Sequence, residues 1–292
     1  MPIVISHNDA DGVISVAALF MKYPEKKFSV YFATPNGLKI ALCKAIAKSC
    51  LGDELFVFDL TPNKETAKLA SFFNCTWIDH HIWDNFDLES TIKAINNTSY
   101  ASAARLCADY FGLNGVIFSL ADEIDKNNTT TEDAVYLRDL IDGVRFFDKK
   151  PSIKLKYLAS NLAKGFEKIK TEENDAVIDR YRKWVKEIES DVEKKINVVE
   201  KDGARIAFLT TNKNIPTRVV VKKVKELGIA ANVVAVFYYH VKRSKIFTKI
   251  EFRSDEYNVF ELAKRFGGGG HRNASGATVE GMIKIDDLLD CL

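Results

Sequence analysis

The chain has 292 residues, 47% of them hydrophobic and 28% charged, which is enough apolar mass for one large core or two medium ones and excludes a disordered or fibrous chain. No apolar run approaches the roughly 20 residues of a membrane helix, so no membrane is expected among its partners. The net charge of +2 conceals an asymmetry: residues 1–148 carry 20 Asp/Glu against 13 Lys/Arg, and residues 194–249 carry 13 Lys/Arg against 3 Asp/Glu. An acidic half suits metal cations and a basic half suits a polyanionic ligand, although a basic surface also serves solubility. The five cysteines, Cys43, Cys50, Cys75, Cys107 and Cys291, show no paired spacing. Free thiols in a reducing cytoplasm are therefore expected, not a disulfide frame or a thiolate zinc site.

The opening Met1-Pro2-Ile3-Val4-Ile5-Ser6 lacks the basic flank and long apolar core of a secretory leader and reads as a strand over Ile3–Ser6. Val13 to Tyr23 is apolar on most sides and long enough for a packed helix. Phe28–Thr34 then reads as a strand, Leu38–Ser49 as a helix, Leu55–Phe58 as a strand, Asn63–Phe73 as a helix and Cys75–Ile78 as a strand. Short apolar strands alternating with helices of about 11 residues predict a parallel sheet with helices on both faces. Ser99–Phe111 reads as a helix and Val116–Ala121 as a further short strand. Residues 126–170 look mostly helical, and a strongly charged stretch from Thr171 to Lys195 reads as a long exposed helix. Beyond it come a strand at Arg205–Thr210, a helix at Thr217–Leu227, and strands at Asn232–Tyr239 and Lys245–Phe252 paired as a hairpin. A helix at Val259–Phe266, an extended Ala277–Val279 and a closing helix at Ile285–Leu292 finish the chain. Three parts follow: an N-terminal α/β domain over 1–170, a linker helix over 171–200, and a smaller α/β domain over 201–292.

The acids and histidines fall in one kind of place. Strand Ile3–Ser6 runs into His7-Asn8-Asp9-Ala10-Asp11-Gly12, Leu55–Phe58 into Asp59, Cys75–Ile78 into Asp79-His80-His81, and Val116–Ala121 into Asp122. In open parallel sheets the carboxyl ends of the strands share one edge, where ligands bind, so four segments deliver these residues together. Each has an ordinary explanation alone: Asp9 or Asp11 as a helix cap, Asp59 before Leu60-Thr61-Pro62 as a turn residue, His80 or His81 as a packed side chain. The ordinary explanations leave the coincidence unexplained. Carboxylates crowded in one cleft repel unless cations compensate them, and a mixture with imidazoles suits Mn²⁺ better than an all-oxygen site would. The ligands are too many for one open ion and match two ions about 3.5–4 Å apart.

These segments resemble the signature motifs of the DHH phosphoesterase family: H-x-D-x-D-G at His7–Gly12, a strand-end Asp at Asp59, D-H-H at Asp79-His80-His81, and an Ala-Asp pair at Ala121-Asp122 after the helix Ser99–Leu106. Phe252-Arg253-Ser254 and Phe266-Gly267-Gly268-Gly269-Gly270-His271-Arg272-Asn273-Ala274-Ser275-Gly276 resemble the DHH-associated domain of nanoRNases and RecJ-type exonucleases. The resemblance implies two divalent ions, Mn²⁺ with Mg²⁺ or Co²⁺ as alternatives. His7, Asp9 and Asp59 would hold one, and Asp11, Asp59, His80 and Asp122 the other, with Asp59 bridging and Asp125 and Asp142 competing with Asp122. Catalytic work would fall to Asp59, to His81 at the phosphate and to Asp79, which would orient a histidine. Gly268, Gly269 and Gly270 would let backbone amides cradle an anion, or else form a loop or a helix cap at Gly267. Arg253, His271 and Arg272 are the expected phosphate contacts.

The function implied is hydrolysis of short single-stranded RNA or DNA, linear dinucleotides or adenosine 3′,5′-bisphosphate. A RecJ-like exonuclease on longer strands stays open, with Tyr238 and Tyr239 as stacking platforms. So do a pyrophosphatase and, from another class, a non-catalytic nucleic-acid-binding protein of replication. A homodimer is open as well.

Overall fold

A computed structural model describes residues 1–242 and 244–291. Contacts divide the chain into two units, Met1–Arg182 and Lys183–Leu292.

In the first unit, β1 (Ile3–His7), β2 (Ser29–Ala33), β3 (Glu54–Phe58), β4 (Asn74–Asp79) and β5 (Ile92–Asn96) form an all-parallel sheet in the order β2-β1-β3-β4-β5. The apolar residues of the strands alternate between two cores, as the period of two requires. Val4, Phe56, Phe58 and Ile78 join one core, and Ile3, Ile5, Leu55, Val57, Cys75 and Trp77 the other. The first core is shared with α1 (Ala10–Lys22), α4 (Ala103–Phe111), α5 (Val116–Asp125), α6 (Glu132–Phe147) and α7 (Pro151–Leu162). The second is covered by α2 (Leu38–Ile46) and α3 (Lys64–Ala70). Helix α1 is buried without a break from Ala10 to Leu19, which is why its sequence is apolar on nearly every side. The strand order reverses direction at β1, so the crevice between the ends of β1 and β3 is the place where such sheets bind ligands.

In this unit two elements differ from expectation. Val116–Ala121 is the first part of helix α5, not a strand; Ile117, Phe118, Leu120 and Ala121 are its buried residues, a helical spacing that so short an apolar run cannot declare by itself. Strand β5 is an addition to the expected elements; as an edge strand it has only Ile92 fully buried.

Helix α8 (Glu172–Glu193) passes from the first unit into the second: Ile178 lies in the first unit's core, Ile188 and Val192 in the second's. The second unit has a six-stranded mixed sheet, β10-β11-β9-β8-β7-β6, made of β6 (Asn197–Lys201), β7 (Ala204–Thr211), β8 (Val233–Lys242), β9 (Lys245–Arg253), β10 (Gly269–Gly270) and β11 (Ala274–Glu280). Among the described residues of this sheet only β7 and β8 pair in parallel, and α9 (Thr217–Glu226) makes the crossover between them. Strand β6 is a second exposed edge strand that the sequence pattern does not announce. Helices α10 (Val259–Arg265) and α11 (Ile285–Leu289) cover the face opposite α9. The closing helix ends at Leu289, and Leu292, expected to end it, lies outside the described residues. Among the described residues no helix is long and apolar enough to cross a membrane.

Candidate metal centre

The turn from β1 into α1 is tight enough to need glycine. A Cβ on Gly12 would sit 2.1 Å from the His7 carbonyl oxygen, far inside van der Waals contact. Ser6 Oγ donates to the Gly12 carbonyl at 2.8 Å and the Gly12 amide donates to Asp9 Oδ1 at 3.1 Å. Asp9 is thus the N-cap of α1, as its ordinary explanation holds, but its other oxygen lies 2.6 Å from His7 Nδ1. The same His7 nitrogen is 3.3 Å from Asp59 Oδ2.

Asp59, at the end of β3, has φ +56°, a left-handed backbone that Asp adopts at a cost and that clusters at functional positions. It is 2% exposed. Its Oδ1 accepts no hydrogen bond among the described residues and sits 3.8 Å from both His80 Nε2 and His81 Nδ1. A buried carboxylate oxygen without a donor is costly; a cation is the partner that would remove the cost.

Strand β4 delivers the next group. His80 Nδ1 lies 3.2 Å from the Tyr100 carbonyl; since a carbonyl only accepts, that nitrogen carries the proton and Nε2 is the lone-pair donor. Nε2 faces Asp11 Oδ2 at 3.5 Å and Asp125 Oδ2 at 3.6 Å. Asp11 is fixed by the first amides of α4, with Ala103 and Ala104 N–H each donating at 2.7 Å, a helix N-terminus holding an anion. Asp79, fully buried, accepts from His81 Nδ1 at 2.7 Å, the His80 amide at 2.9 Å and Trp83 Nε1 at 2.6 Å.

Of the residues the sequence singles out, His7, Asp9, Asp11, Asp59, His80, His81 and Asp79 come together at this edge. Asp122 does not: its carboxylate is taken by Arg105 at 2.9 Å and Ser102 Oγ at 2.6 Å. Asp125, named only as a competitor, joins Asp11 and His80 instead. The reason is the helix. A strand would present the residue after its last apolar position, whereas α5 carries the carboxylate on to its last residue, one turn further. Asp142 pairs with Arg145 at 3.2 Å and accepts from Tyr181 at 3.1 Å.

The electrostatics are those of a site short of positive charge. Burial, together with the Asp11 and Asp9 carboxylates, pushes Asp59 well above the usual carboxylate range. Burial and Asp125 raise Asp11 to about 8, and burial and Asp9 raise Asp125 to about 7. Burial would lift Asp9 too, but His7 beside it, with Arg145, holds it far down. Burial likewise opposes the charge on Asp79 and on His81; their pairing prevails, depressing Asp79 and raising His81 to about 9.

In the second unit the glycine run answers largely to packing. Gly267 closes α10 at φ +71°, and the Gly267 and Gly268 amides donate to Lys264 and Ala263 carbonyls at 2.9 and 2.8 Å, a left-handed helix cap. A Cβ on Gly268 would meet the Gly276 carbonyl oxygen at 2.1 Å, and one on Gly270 the Ala274 carbonyl oxygen at 2.7 Å. The His271 amide donates to Ala274. The expected amide cradle therefore does not form from Gly268 and His271, whose N–H groups are spent inside the fold. A Cβ on Gly269 would point into open space, as would one on Gly267, where the left-handed backbone favours glycine instead. Arg253 donates to the Phe252 carbonyl at 2.8 Å and lies 3.6 Å from Glu251; Arg272 is exposed and His271 half-buried.

Residues 206–292 match the family model of the DHHA1 domain. The C-terminal unit therefore carries a DHHA1 domain. This domain begins inside β7, and the N-terminal unit carries the D-H-H segment at Asp79-His80-His81. A curated relative, the bifunctional oligoribonuclease and PAP phosphatase NrnA of Mycoplasma genitalium, is 29% identical over 100 residues, 33% of this chain and 31% of that protein. The match therefore spans about a third of that relative's length. Among solved structures, the pGpG-specific phosphodiesterase PggH of Vibrio cholerae aligns at TM-score 0.62 and 16% identity, covering 100% of this chain and 97% of that one. RecJ of Thermus thermophilus in complex with Mn²⁺ aligns at TM-score 0.53 and 15% identity, covering 95% of this chain and 49% of that one. Likeness at these identities is likeness of fold.

Proposed function

We propose that this chain is a two-metal phosphodiesterase of the DHH type that hydrolyses short oligonucleotides, linear dinucleotides or adenosine 3′,5′-bisphosphate. The observation that carries the proposal is Asp59. One carboxylate oxygen faces His7 and Asp9, while the other, buried and without a donor, faces His80. The residues fit a pair of divalent cations: His7, Asp9 and Asp59 would hold one, and Asp11, Asp59, His80 and Asp125 the other. Mixed carboxylate and imidazole donors suit Mn²⁺, with Mg²⁺ or Co²⁺ as alternatives. When bound, two such ions supply Lewis acidity at a phosphoryl group and make water a nucleophile near neutral pH.

The protein's own part is positioning. Tyr100 fixes the ring of His80 through its carbonyl, and Asp79 fixes that of His81. With Nδ1–H of His81 directed at Asp79, Nε2 is the ring nitrogen that would meet a phosphoryl oxygen of the substrate. In the DHHA1 domain, Arg253, His271 and Arg272 supply the cationic and polar groups for a substrate phosphate. The Gly269 backbone is open to close approach.

Short substrates are favoured over long strands by the state of the two tyrosines. Tyr238 is 4% exposed, with its hydroxyl bound to Thr217 and Ile215, and Tyr239 donates to the Ile283 carbonyl. Tyr238 has no ring face open to a base, and Tyr239 is committed to packing. The names of NrnA and PggH point to the same substrate class. The test is hydrolysis of 5′-labelled RNA and DNA from two to about 25 nucleotides, beside adenosine 3′,5′-bisphosphate, with Mn²⁺. The expected result is metal-dependent turnover that is steepest on dimers and trimers and lost in Asp59→Ala. Equal, metal-independent rates in both proteins would refute the proposal.

A further inference from the structure

Asp79 is fully buried, so its two oxygens need donors from every side. Oδ1 receives His81 Nδ1 and the His80 amide. Oδ2 receives Thr61 Oγ1 at a long 3.3 Å and Trp83 Nε1 at 2.6 Å. Trp83 is therefore the strong anchor of the oxygen that His81 does not use.

Trp83 belongs to the irregular segment between β4 and β5, and its ring is only half-buried. It meets the wholly buried Trp77 edge-on, with ring centroids 6.1 Å apart at 72°. Trp77 in turn donates Nε1 to the Leu60 carbonyl at 2.7 Å. Leu60 directly follows Asp59, so the two indoles tie the loop after β3 to the loop after β4. The ring packs at the margin of the second core, and its N–H has a specific target in Asp79 Oδ2.

We propose that Trp83 is a positioning residue for the phosphodiesterase reaction: its indole N–H locks the Asp79 carboxylate in the rotation that directs Oδ1 at His81, and so fixes where His81 Nε2 meets the substrate. This rests on the hydrolytic reading above. The chain of action is Trp83 to Asp79 to His81, with Trp83 acting through these two groups.

The experiment compares wild type, Trp83→Phe and a chain carrying 3-benzothienylalanine at position 83 alone, which keeps the indole's shape and deletes only the N–H. Turnover of a 5′-phosphorylated RNA dinucleotide is measured with Mn²⁺. The proton on His81 Nδ1 is followed by NMR, assigned with His81→Asn. Both variants are expected to lose kcat by about 10- to 100-fold, the usual effect of removing a group that orients a ligand. KM should stay within about twofold, Mn²⁺ stoichiometry should not change, and the downfield His81 proton should broaden or shift. Wild-type kcat with an unchanged His81 proton in the benzothienyl protein would overturn the proposal. So would a parallel loss of kcat and metal binding. Should Trp83→Phe fail to fold, the benzothienyl protein decides. Should the wild type hydrolyse nothing, the functional reading fails while the NMR comparison still tests the lock.

Discussion

The carboxyl edge of the first sheet and the glycine run of the second both bring backbone abnormally close to backbone, and they end in opposite electrostatic states. At the edge, Gly12 brings the start of α1 against His7, and Asp59 takes a left-handed backbone. The outcome is an excess of buried acceptors, including an Asp59 oxygen with no donor. In the glycine run, Gly268 and Gly270 bring β10 against β11 just as closely, but the Gly268 and His271 amides are consumed in the process. A motif of special residues can thus mean chemistry in one place and packing in another. The distinguishing observation is whether polar groups are left over.

The sharpest way to break this comparison is Asp59→Asn, since Asn tolerates the left-handed backbone but cannot bridge two cations as a carboxylate does. Turnover should fall about a thousandfold, the ~4 kcal/mol of transition-state stabilisation expected from a dismantled metal site. The metal-free protein should melt no lower than wild type, because the neutral amide needs no proton to sit beside the Asp11 and Asp9 carboxylates; steady-state kinetics and calorimetry check both halves. Loss of fold would mean Asp59 is structural.

Next in size is a pair of alanine substitutions in the glycine run. Gly268→Ala must push Cβ into the Gly276 carbonyl and should cost more than ~3 kcal/mol or abolish folding. Gly269→Ala meets nothing within 4 Å and should change stability by under about 1 kcal/mol. Denaturant titration of the two proteins measures this; equal costs would show that the packing account of the run is wrong.

A smaller contrast lies on α5. Asp125→Asn should weaken Mn²⁺ binding by roughly 10- to 100-fold. Asp122→Asn breaks a partly exposed pair with Arg105 and should cost no more than ~1 kcal/mol of stability, with metal affinity unchanged. Isothermal titration with Mn²⁺ separates them, and the reverse ranking would return the ligand role to Asp122.

The smallest effect is a pH dependence. In the folded chain Asp125 and Asp11 rise to about 7 and about 8, and His81 to about 9. All three bind protons more tightly folded than unfolded. Each contributes stability in full below its unfolded value and loses it as pH climbs through the folded one. Asp9 and Asp79, held low, add a constant over the same range. The metal-free melting temperature should therefore fall as pH rises from about 6 to about 9, by roughly 2–4 °C per kcal/mol lost. Saturating Mn²⁺ should flatten the slope; a metal-free protein that gains stability with pH would contradict the assignment of these groups.

Most of the candidate site is legible in the sequence because the proposed ligands directly follow apolar strands whose type and direction the alternation with helices already implies. His7, Asp9, Asp59 and His80 need no more than that. Asp125 is legible only as a competitor because its position depends on the period of the segment before it, and a six-residue run with five apolar residues does not distinguish a period of 2 from one of 3.6. Strands β5 and β6 escape because edge strands bury too little to show a pattern. The role of Trp83 cannot be read from spacing, since its target is the second oxygen of a residue four positions away. The glycines are legible as special, but which of them serve packing depends on a strand partner at Gly276 and Ala274 that no local pattern identifies.

The central claim is that two cations bind at this edge and share Asp59. The direct measurement is Mn²⁺ stoichiometry by isothermal titration, on wild type and Asp59→Asn side by side. The account predicts two ions per wild-type chain and at most one, weakly held, per variant chain. One ion or none in the wild type, or two unchanged ions in the variant, would contradict it.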